Sequence, residues 1–277
     1  MRRVVFNQKG GVGKSSIASN LAAISAYRGL KTLLIDLDPQ CNSTQYLLGR
    51  DFKTSDKDIG VFFAQSLSFR LRHKKNLEDF VSPTQYGNLN VIAANPELGE
   101  IMSQLEAKHK IFKLRDGLST LNDYDAIYID TPPAFNFYTL SALIAADSCL
   151  IPFDCDEFSR QALYNLIENV EETRSDHNQD LEVEGIIVNQ FQPRANLPTR
   201  MVDELKKEGL PILDTFLSSS IKMRESHDTG VPLVHMAPNH KLTQELLALF
   251  DLMHPGYAVT RKNQPAESSS PKAKEPA

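Results

Sequence analysis

The feature that most constrains the fold is a glycine-rich loop at residues 8–16, which reads Gln-Lys-Gly-Gly-Val-Gly-Lys-Ser-Ser. The loop follows a short apolar run and precedes a segment with helical periodicity, which is the context of a phosphate-binding loop. The usual spacing of such a loop requires a glycine where this chain has Gln8. The chain instead carries a second lysine, Lys9, so early in the loop that its side chain cannot easily reach phosphates bound by the same loop.

The other residues of the loop predict a nucleotide site. Glycines allow successive backbone N–H groups to wrap closely around a phosphate, and the positive end of the following helix faces the same anion. We expect Lys14 to reach the β- and γ-phosphates and the Ser15 hydroxyl to bind Mg²⁺. The predicted nucleotide-binding residues of the loop are Lys9, Gly10, Gly11, Val12, Gly13, Lys14, Ser15 and Ser16.

Composition excludes several other classes of protein. The chain has 277 residues, 41% of them hydrophobic, which is enough for one well-packed core. A net charge of -5 and a pI of about 5.8 give no global positive field, so any DNA contact must come from a local patch. Three cysteines without a C-x-x-C pair disfavour a disulfide framework or a zinc site. Without a signal peptide or an apolar run of about 20 residues, a cytoplasmic protein is expected.

Apolar runs alternate with segments of helical periodicity along the chain, which predicts an α/β fold. The predicted strands are Val4–Asn7, Thr32–Leu37, Asn90–Ala94, Ala126–Asp130, Ser148–Phe153, Val183–Asn189 and Ile212–Phe216. The predicted helices are Lys14–Arg28, Pro96–Leu121 with a break near 107–110, Tyr138–Ala146, Ser159–Arg174, Pro198–Glu208 and Lys241–Met253. This order predicts a doubly wound, mostly parallel sheet with helices on both faces, in which ligands bind at the carboxyl ends of the strands.

Three aspartates end predicted strands. Asp36 and Asp38 lie on one side of the second strand because side chains alternate. Asp130 ends an apolar strand, the Walker-B arrangement in which a carboxylate holds Mg²⁺, often through water. Any one of them alone could instead be a turn former or a helix cap. Three such carboxylates in a chain with a phosphate loop favour a metal–nucleotide site.

These segments together resemble the ParA/MinD family of deviant Walker-A ATPases. The matching stretches are residues 7–15, 36–40 and 130–133, and the resemblance extends over about residues 2–253. Within the family, the chain is most similar to short, Soj-like ParA proteins, because no DNA-reading domain is expected before the loop. The resemblance implies a P-loop ATPase domain at residues 1–255. Residues 256–277 are expected to be a disordered Pro/Ser/Lys-rich tail, since 261–277 contain no large apolar side chain.

The resemblance also implies roles for single residues. The early lysine of this family, here Lys9, crosses to the ATP of the partner subunit in a face-to-face dimer. Asp38 matches the carboxylate that orients the attacking water, and Asp36 matches part of the switch and metal shell. Asn189 matches a residue that contacts adenine, and the alternative is a turn asparagine at the end of a strand. The implied catalytic residues are Lys9, Lys14 and Asp38, and the implied metal site is Ser15, Asp36 and Asp130.

Short ParA proteins bind DNA without sequence preference as ATP dimers, for which phosphate contacts suffice. The candidate DNA-binding residues are Arg194, Arg200, Lys206, Lys222 and Arg224. The chain departs from the family pattern at Cys41, where a glycine is usual, at Ser15-Ser16, where two threonines are common, and at 217–222, where many relatives have Ile-Pro-Arg-Asn. The role of the densest basic run, residues 70–75, is left open.

The implied function is slow ATP hydrolysis with Mg²⁺, stimulated by a ParB-like or other partner, to position a chromosome, a plasmid or a protein cargo. The ATP-bound dimer would associate with the nucleoid. A MinD-like protein is one alternative, but it needs a terminal amphipathic helix for membrane binding, and the predicted tail has no apolar face. A second alternative is an ATP-dependent small-molecule ligase on the same fold, which gives no reason for Lys9. Redox or metal carriers need paired cysteines, and the intact site residues disfavour a non-catalytic scaffold.

Overall fold

The computed structural model describes residues 1–53, 57–67, 74–155, 159–192 and 196–255. Its seven strands form one sheet in the order β3-β4-β2-β5-β1-β6-β7. The strands are β1 (Arg2–Val5), β2 (Thr32–Asp36), β3 (Val81–Pro83), β4 (Leu89–Ile92), β5 (Ala126–Asp130), β6 (Ser148–Asp154) and β7 (Glu182–Asn189). All neighbouring pairs are parallel except β3 with β4. The predicted α/β, mostly parallel sheet is therefore confirmed.

The described helices connect the strands and cover the sheet. They are α1 (Lys14–Tyr27), α2 (Asn42–Leu48), α3 (Ile59–Ala64), α4 (Leu98–Ala107), α5 (Lys113–Leu118), α6 (Phe137–Ala145), α7 (Ser159–Asp176), α8 (Asn196–Lys207), α9 (Ile221–Thr229), α10 (Leu233–Met236) and α11 (Lys241–Met253), with a 3-10 helix at Leu77–Phe80. None of the described helices is long and apolar enough to span a bilayer.

Alternation along each strand divides the core between the two faces of the sheet. Val4 and Ile35 lie in a cluster with apolar side chains of α3 to α8. Val5 and Leu34, one residue away on the same strands, lie in a second cluster with α1, α2, α10 and α11. Because both faces are covered, the strands read as continuous apolar runs rather than as alternating ones.

The register of the sheet brings the functional loops to one edge. Asp36, the last residue of β2, is the register partner of Asp130, the last residue of β5. Val5, the last residue of β1, is also opposite Asp130. The phosphate loop, the loop after β2 and the loop after β5 therefore leave the sheet side by side.

The prediction of a strand at Ile212–Phe216 is wrong. Among the described residues, the segment makes a single bridge, from Ile212 to Ile186, and the next bridge, from Ser218 to Phe191, lies two residues beyond its end. Leu213 donates its N–H to the Ile186 carbonyl and Leu217 donates to the Val188 carbonyl, so the chain advances four positions here while β7 advances two. The apolar residues follow the edge of the sheet, but the mismatch in length prevents a regular ladder.

Several other predictions concern element boundaries. The helix predicted over Pro96–Leu121 is broken as expected, with His109 at φ 50 in the break between α4 and α5. Helices α2, α3, α9 and α10 and strand β3 were not predicted. They are short, so periodicity alone gives little signal. The predicted tail 256–277, Arg194 and residues 70–73 lie outside the described residues and stay predictions.

Candidate functional site

The phosphate loop leaves β1 and enters α1 through glycines with a left-handed backbone. Gly11 has φ 79, and Gly13, which caps α1, has φ 90. Other residues are strained there. A side chain added at Gly11 would meet nothing within 4 Å, whereas one added at Gly13 would collide with the amide of Asn189. The loop is therefore open on one side and packed tightly against the end of β7 on the other.

Lys14 points back into this loop. It is only 7% exposed, and its Nζ donates a hydrogen bond to the Lys9 carbonyl at 3.1 Å. Burial lowers the pKa of Lys14, while the charges of Asp130 and Asp38 act in the opposite direction. The loop thus holds a buried cation against its own backbone, which favours an anionic ligand.

Lys9 behaves differently. Its backbone N–H donates to Asn7 Oδ1 at 2.8 Å, which fixes the start of the loop. Its side chain is 39% exposed, and its ammonium lies 4.0 Å from Asp154 Oδ2 at the end of β6. The Lys9 side chain therefore leaves the loop toward the neighbouring strand and is absent from the lining of both clefts described below.

Asp130 is completely buried at the end of β5. Its Oδ2 accepts a hydrogen bond from Ser43 Oγ at 2.7 Å. Its Oδ1 has no hydrogen-bond partner among the residues that the structure describes. Burial raises the pKa of Asp130, against the effect of nearby serine hydroxyls. A buried carboxylate oxygen without a donor fits a cation or a cation-bound water.

Asp36 is also completely buried, but both of its oxygens have donors. Oδ1 accepts from the Asp38 N–H at 3.0 Å, and Oδ2 accepts from the N–H and hydroxyl of Thr44 at 2.9 and 2.8 Å. Burial and the neighbouring Asp130 raise the pKa of Asp36. These contacts tie the loop after β2 to the start of α2. The predicted role of Asp36 in metal binding stays a prediction.

Two clefts meet at the phosphate loop. The loop cleft has a volume of about 290 Å³, and its lining includes Lys14, Ser15 and Asp38. The serine cleft, about 310 Å³, lies on the other side, and its lining includes Asn189 and Ser218. Both clefts share Gly11, Gly13 and Ser16. An elongated ligand with an anionic end therefore has a continuous path along the loop.

Asn189 and its neighbour connect β7 to the loop. Asn189 Nδ2 donates to the Val12 carbonyl at 2.9 Å. Gln190, with φ 54, donates to the Gly11 carbonyl at 3.1 Å and also lines the serine cleft. The contact of Asn189 with adenine stays a prediction. Gln190 was missed, and its position directly after Asn189 was the available signal.

His227 is a second residue that the sequence did not indicate. It lies on α9, far from the loop in the chain, yet it lines the loop cleft, and its Nε2 is 2.7 Å from Ser16 Oγ. Its ring stacks on Tyr46, with 4.2 Å between centroids. Burial lowers the pKa of the imidazole. Only the tertiary structure brings α9 to this position.

Comparison with known proteins identifies the family. An AAA domain family model matches residues 3–183. The chain is 34% identical over 251 residues to the chromosome partitioning protein ParA of Myxococcus xanthus, covering 88% of this chain and 84% of that protein. The chain belongs to the ParA/MinD family. Members of this family are ATPases, and the resemblance stated from the sequence is confirmed.

Solved structures share the fold of this ParA/MinD-family chain. The ATP complex of a Cyanothece McdA variant superposes with a TM-score of 0.78 at 20% identity, covering 92% of this chain and 96% of that one. Cobyrinic acid a,c-diamide synthase from Mycobacterium smegmatis, with bound ADP and magnesium, has a TM-score of 0.70 at 22% identity, covering 87% and 97%. At these identities the similarity concerns the fold alone.

The site of this ParA/MinD-family chain fits ATP and Mg²⁺. No cluster of three His, Cys, Asp or Glu side chains able to hold a metal occurs among the described residues. Mg²⁺ does not need such a cluster, because it is typically held by one or two carboxylates together with nucleotide phosphates and water. The unpartnered Asp130 Oδ1 and the Ser15 hydroxyl beside the open loop fit such a site, and their binding of Mg²⁺ stays a prediction.

The predicted DNA-binding residues are not gathered into one bare basic patch. Arg200 and Lys206 lie on α8, and Lys222 and Arg224 lie on α9. Three of them pair with carboxylates: Arg200 with Glu204 at 3.7 Å, Lys206 with Asp214 at 2.6 Å and Lys222 with Glu225 at 2.5 Å. Arg224 is exposed and lines the serine cleft. Their contact with DNA stays a prediction.

Proposed function

We propose that this chain is a ParA-like ATPase that forms an ATP-sandwich dimer, binds DNA without sequence preference and hydrolyses ATP slowly until a partner stimulates it. The observation that carries the proposal is the different placement of the two loop lysines. Lys14 is buried against its own loop, whereas Lys9 is half-exposed and lies outside the loop cleft of its own subunit. A cation so placed serves a second subunit, as an arginine finger does in trans.

Within each subunit, the other residues supply binding and orientation. The loop N–H groups and Lys14 would hold the phosphates, and Ser15 and Asp130 would hold Mg²⁺, which would supply neutralisation of the charge that develops during phosphoryl transfer. Asp38 lines the loop cleft at 5% exposure, with one oxygen accepting from the Gln40 N–H at 2.9 Å. Its other oxygen is available to orient the attacking water.

Because the chain has a net charge of -5, DNA binding must come from local basic surfaces. We propose that dimerisation brings the basic surfaces of two subunits together. Two copies of α8 and α9 double the number of cations presented to the phosphate backbone. Three of the four described candidates are ion-paired within the subunit, which makes monomer binding weak. This supports a DNA affinity that appears only in the ATP dimer. The cargo would be a chromosome, a plasmid or a protein assembly.

The two alternatives receive less support. A small-molecule ligase shares the fold, but a ligase has no use for a lysine directed away from its own cleft. A MinD-like protein would need an amphipathic membrane-binding helix, and the composition of residues 261–277 does not predict one.

The dimer is tested by light scattering after size-exclusion chromatography, with ADP or ATP and Mg²⁺. Wild type is expected to be monomeric with ADP and dimeric with ATP. Lys9→Ala should bind both nucleotides and remain monomeric, whereas Asp38→Ala should form a persistent ATP dimer. The control is Lys31→Ala, which should behave as wild type. Lys31 is a surface lysine that pairs with Asp123 and is 48% exposed. A dimeric Lys9→Ala protein would overturn the assignment of Lys9 to the partner's site.

Hydrolysis and DNA binding are measured separately. The ATPase rate is expected to be slow in the protein alone, and Asp38→Ala should lower it by about 100-fold or more. Two duplexes of unrelated sequence should bind equally with ATP and not with ADP, and the affinity should fall steeply with salt. Fast turnover by the isolated monomer, or a strong preference for one duplex, would contradict the proposal.

A further inference from the structure

Helix α9 contacts the nucleotide clefts through one face. His227 lines the loop cleft, and Arg224, three residues earlier on the same face, lines the serine cleft. Lys222, which pairs with Glu225 at 2.5 Å, lines neither cleft. The helix is therefore both a wall of the nucleotide site and the carrier of two predicted DNA-binding residues.

A buried polar network attaches α9 to the first two helices. Ser226 forms hydrogen bonds with the Tyr46 hydroxyl of α2 and with the Val231 carbonyl. Asn20 of α1 donates to the Tyr46 hydroxyl at 3.2 Å and accepts from the Leu233 N–H at 2.9 Å. Within this attachment, two contacts reach Ser16 at the end of the phosphate loop. Asn20 Nδ2 donates to the Ser16 backbone carbonyl at 2.8 Å, and His227 contacts the Ser16 hydroxyl, the side-chain group that faces the cleft.

We propose that His227 is a positioning residue for the nucleotide, and that its hydrogen bond to Ser16 transmits nucleotide binding from the phosphate loop to helix α9. The proposal rests on the proposed function in that it takes a nucleotide triphosphate as the ligand of the loop. It assigns a role to a side chain that is neither a loop residue nor a metal ligand.

The chemistry follows from the two groups in contact. A serine hydroxyl has one proton and two acceptor sites, and neutral imidazole has one N–H. With the N–H on Nε2, His227 donates to Ser16 Oγ, and the Ser16 proton is directed into the cleft, where a phosphate oxygen accepts it. Each bond in such a chain polarises the next, so a bound phosphate strengthens the contact between Ser16 and His227. Helix α9 is then held more tightly when the nucleotide is present.

Two substitutions separate the hydrogen bond from the packing. His227→Phe keeps a ring that can stack on Tyr46 but has no Nε2. His227→Gln keeps an amide donor at a similar distance from the backbone but loses the stacked ring. The matched control is His235→Phe on α10, because His235 also stacks on a tyrosine, Tyr86, with 4.5 Å between centroids, and lines neither cleft.

The test is hydrogen–deuterium exchange of the backbone amides in residues 217–233, with and without Mg²⁺ and a slowly hydrolysed ATP analogue. Nucleotide affinity is measured on the same proteins by calorimetry, so that every variant is compared at saturation. In wild type and in His235→Phe, the analogue is expected to slow exchange in α9. In His227→Phe, affinity should fall by about 3- to 10-fold and the slowing should be lost even at saturation. In His227→Gln, part of the slowing should return.

The outcomes distinguish this inference from the proposed function. If wild type does not bind the analogue, both are overturned. If wild type binds the analogue and exchange in α9 does not change, the inference alone is overturned. The same holds if the analogue slows exchange in His227→Phe as much as in wild type. A combined Ser16→Ala and His227→Phe protein should lose no more affinity than Ser16→Ala alone, since both changes remove the same contact. Additive losses would contradict a shared hydrogen bond.

Discussion

The carboxyl edge of the sheet and the outer surface of α8 and α9 both carry functional charges, but they hold them in opposite ways. At the edge, Lys14 and Asp130 are at most 7% exposed, and one oxygen of Asp130 has no donor in the described part of the chain. On the surface, Arg200 is 73% exposed and pairs with Glu204. The buried charges are kept against a desolvation penalty, whereas three of the four described surface candidates already pair with carboxylates.

This difference in burial indicates which charges contribute most to binding a ligand. A buried charge in a site of low dielectric interacts strongly with the ligand, and its removal has a large effect. An exposed pair contributes little by itself and is screened by salt. We therefore expect substitutions at the edge to change nucleotide binding by orders of magnitude, and substitutions on the surface to change DNA binding by small factors.

The largest effect is expected from Lys14→Ala. This change removes a buried cation beside the phosphate-binding backbone, and we expect nucleotide affinity to fall by about 100-fold or more. Calorimetric titration with ADP measures it, and Lys31→Ala serves as the exposed control. A loss of less than about threefold would mean that Lys14 stays on the Lys9 carbonyl when nucleotide binds.

Asp130→Asn tests how much the buried, ionised carboxylate at the carboxyl edge of the sheet destabilises the fold. Because burial raises the pKa of Asp130, the folded state binds the proton more tightly than the unfolded chain, and the ionised carboxylate destabilises the fold at neutral pH. We expect the variant to be more stable by about 1 to 3 kcal/mol at pH 7 without nucleotide. This gain should shrink as the pH falls and vanish below the unfolded aspartate pKa of about 4.

Urea unfolding at several pH values measures the stability of this variant, and calorimetry measures the Mg²⁺ dependence of its ATP binding. The variant should gain stability and lose the Mg²⁺ dependence together. A variant that is less stable at pH 7 would show that ionised Asp130 is well satisfied without a cation.

Lys222→Ala and Arg224→Ala sharpen the comparison on the surface side. Each is expected to weaken DNA binding by the ATP dimer by about 2- to 5-fold and to lower the slope of log affinity against log salt by about 1. Fluorescence anisotropy at several salt concentrations measures both quantities. Because Arg224 lines the serine cleft and Lys222 does not, a change in ATP affinity is expected only for Arg224→Ala. An unchanged salt slope in both would remove α9 from the DNA surface.

The smallest effect is expected from Asp154→Asn. This change weakens the hold on the Lys9 ammonium, 4.0 Å away, and Lys9 then becomes easier to transfer to a partner. Because an exposed pair of this kind contributes under about 1 kcal/mol, ATP-dependent dimerisation should tighten by about twofold at low salt and not at high salt. Sedimentation over a range of protein concentrations measures the dimer constant. Weaker dimerisation would mean that Asp154 orients Lys9 for the partner.

The sequence by itself determined the sheet and its carboxyl edge. Continuous apolar strands require cover on both faces of the sheet. A parallel register then places three loops side by side, those that follow Val5, Asp36 and Asp130. The loop glycines were predicted to let the backbone wrap closely around a phosphate, and two of them, Gly11 and Gly13, have the left-handed backbone that other residues avoid. These are local or periodic properties, so they can be read from residue types and spacing.

The tertiary structure alone decided the rest. It placed His227 on Ser16, 211 residues earlier in the chain, and it gave Asp36 donors on both oxygens while leaving one oxygen of Asp130 without any among the described residues. It also prevented Ile212–Phe216 from forming a regular strand on the edge of the sheet. Such outcomes depend on which distant groups compete for the same donors and space. The hydrophobic periodicity of the sequence contains no information on that competition, because its outcome depends on how the helices pack.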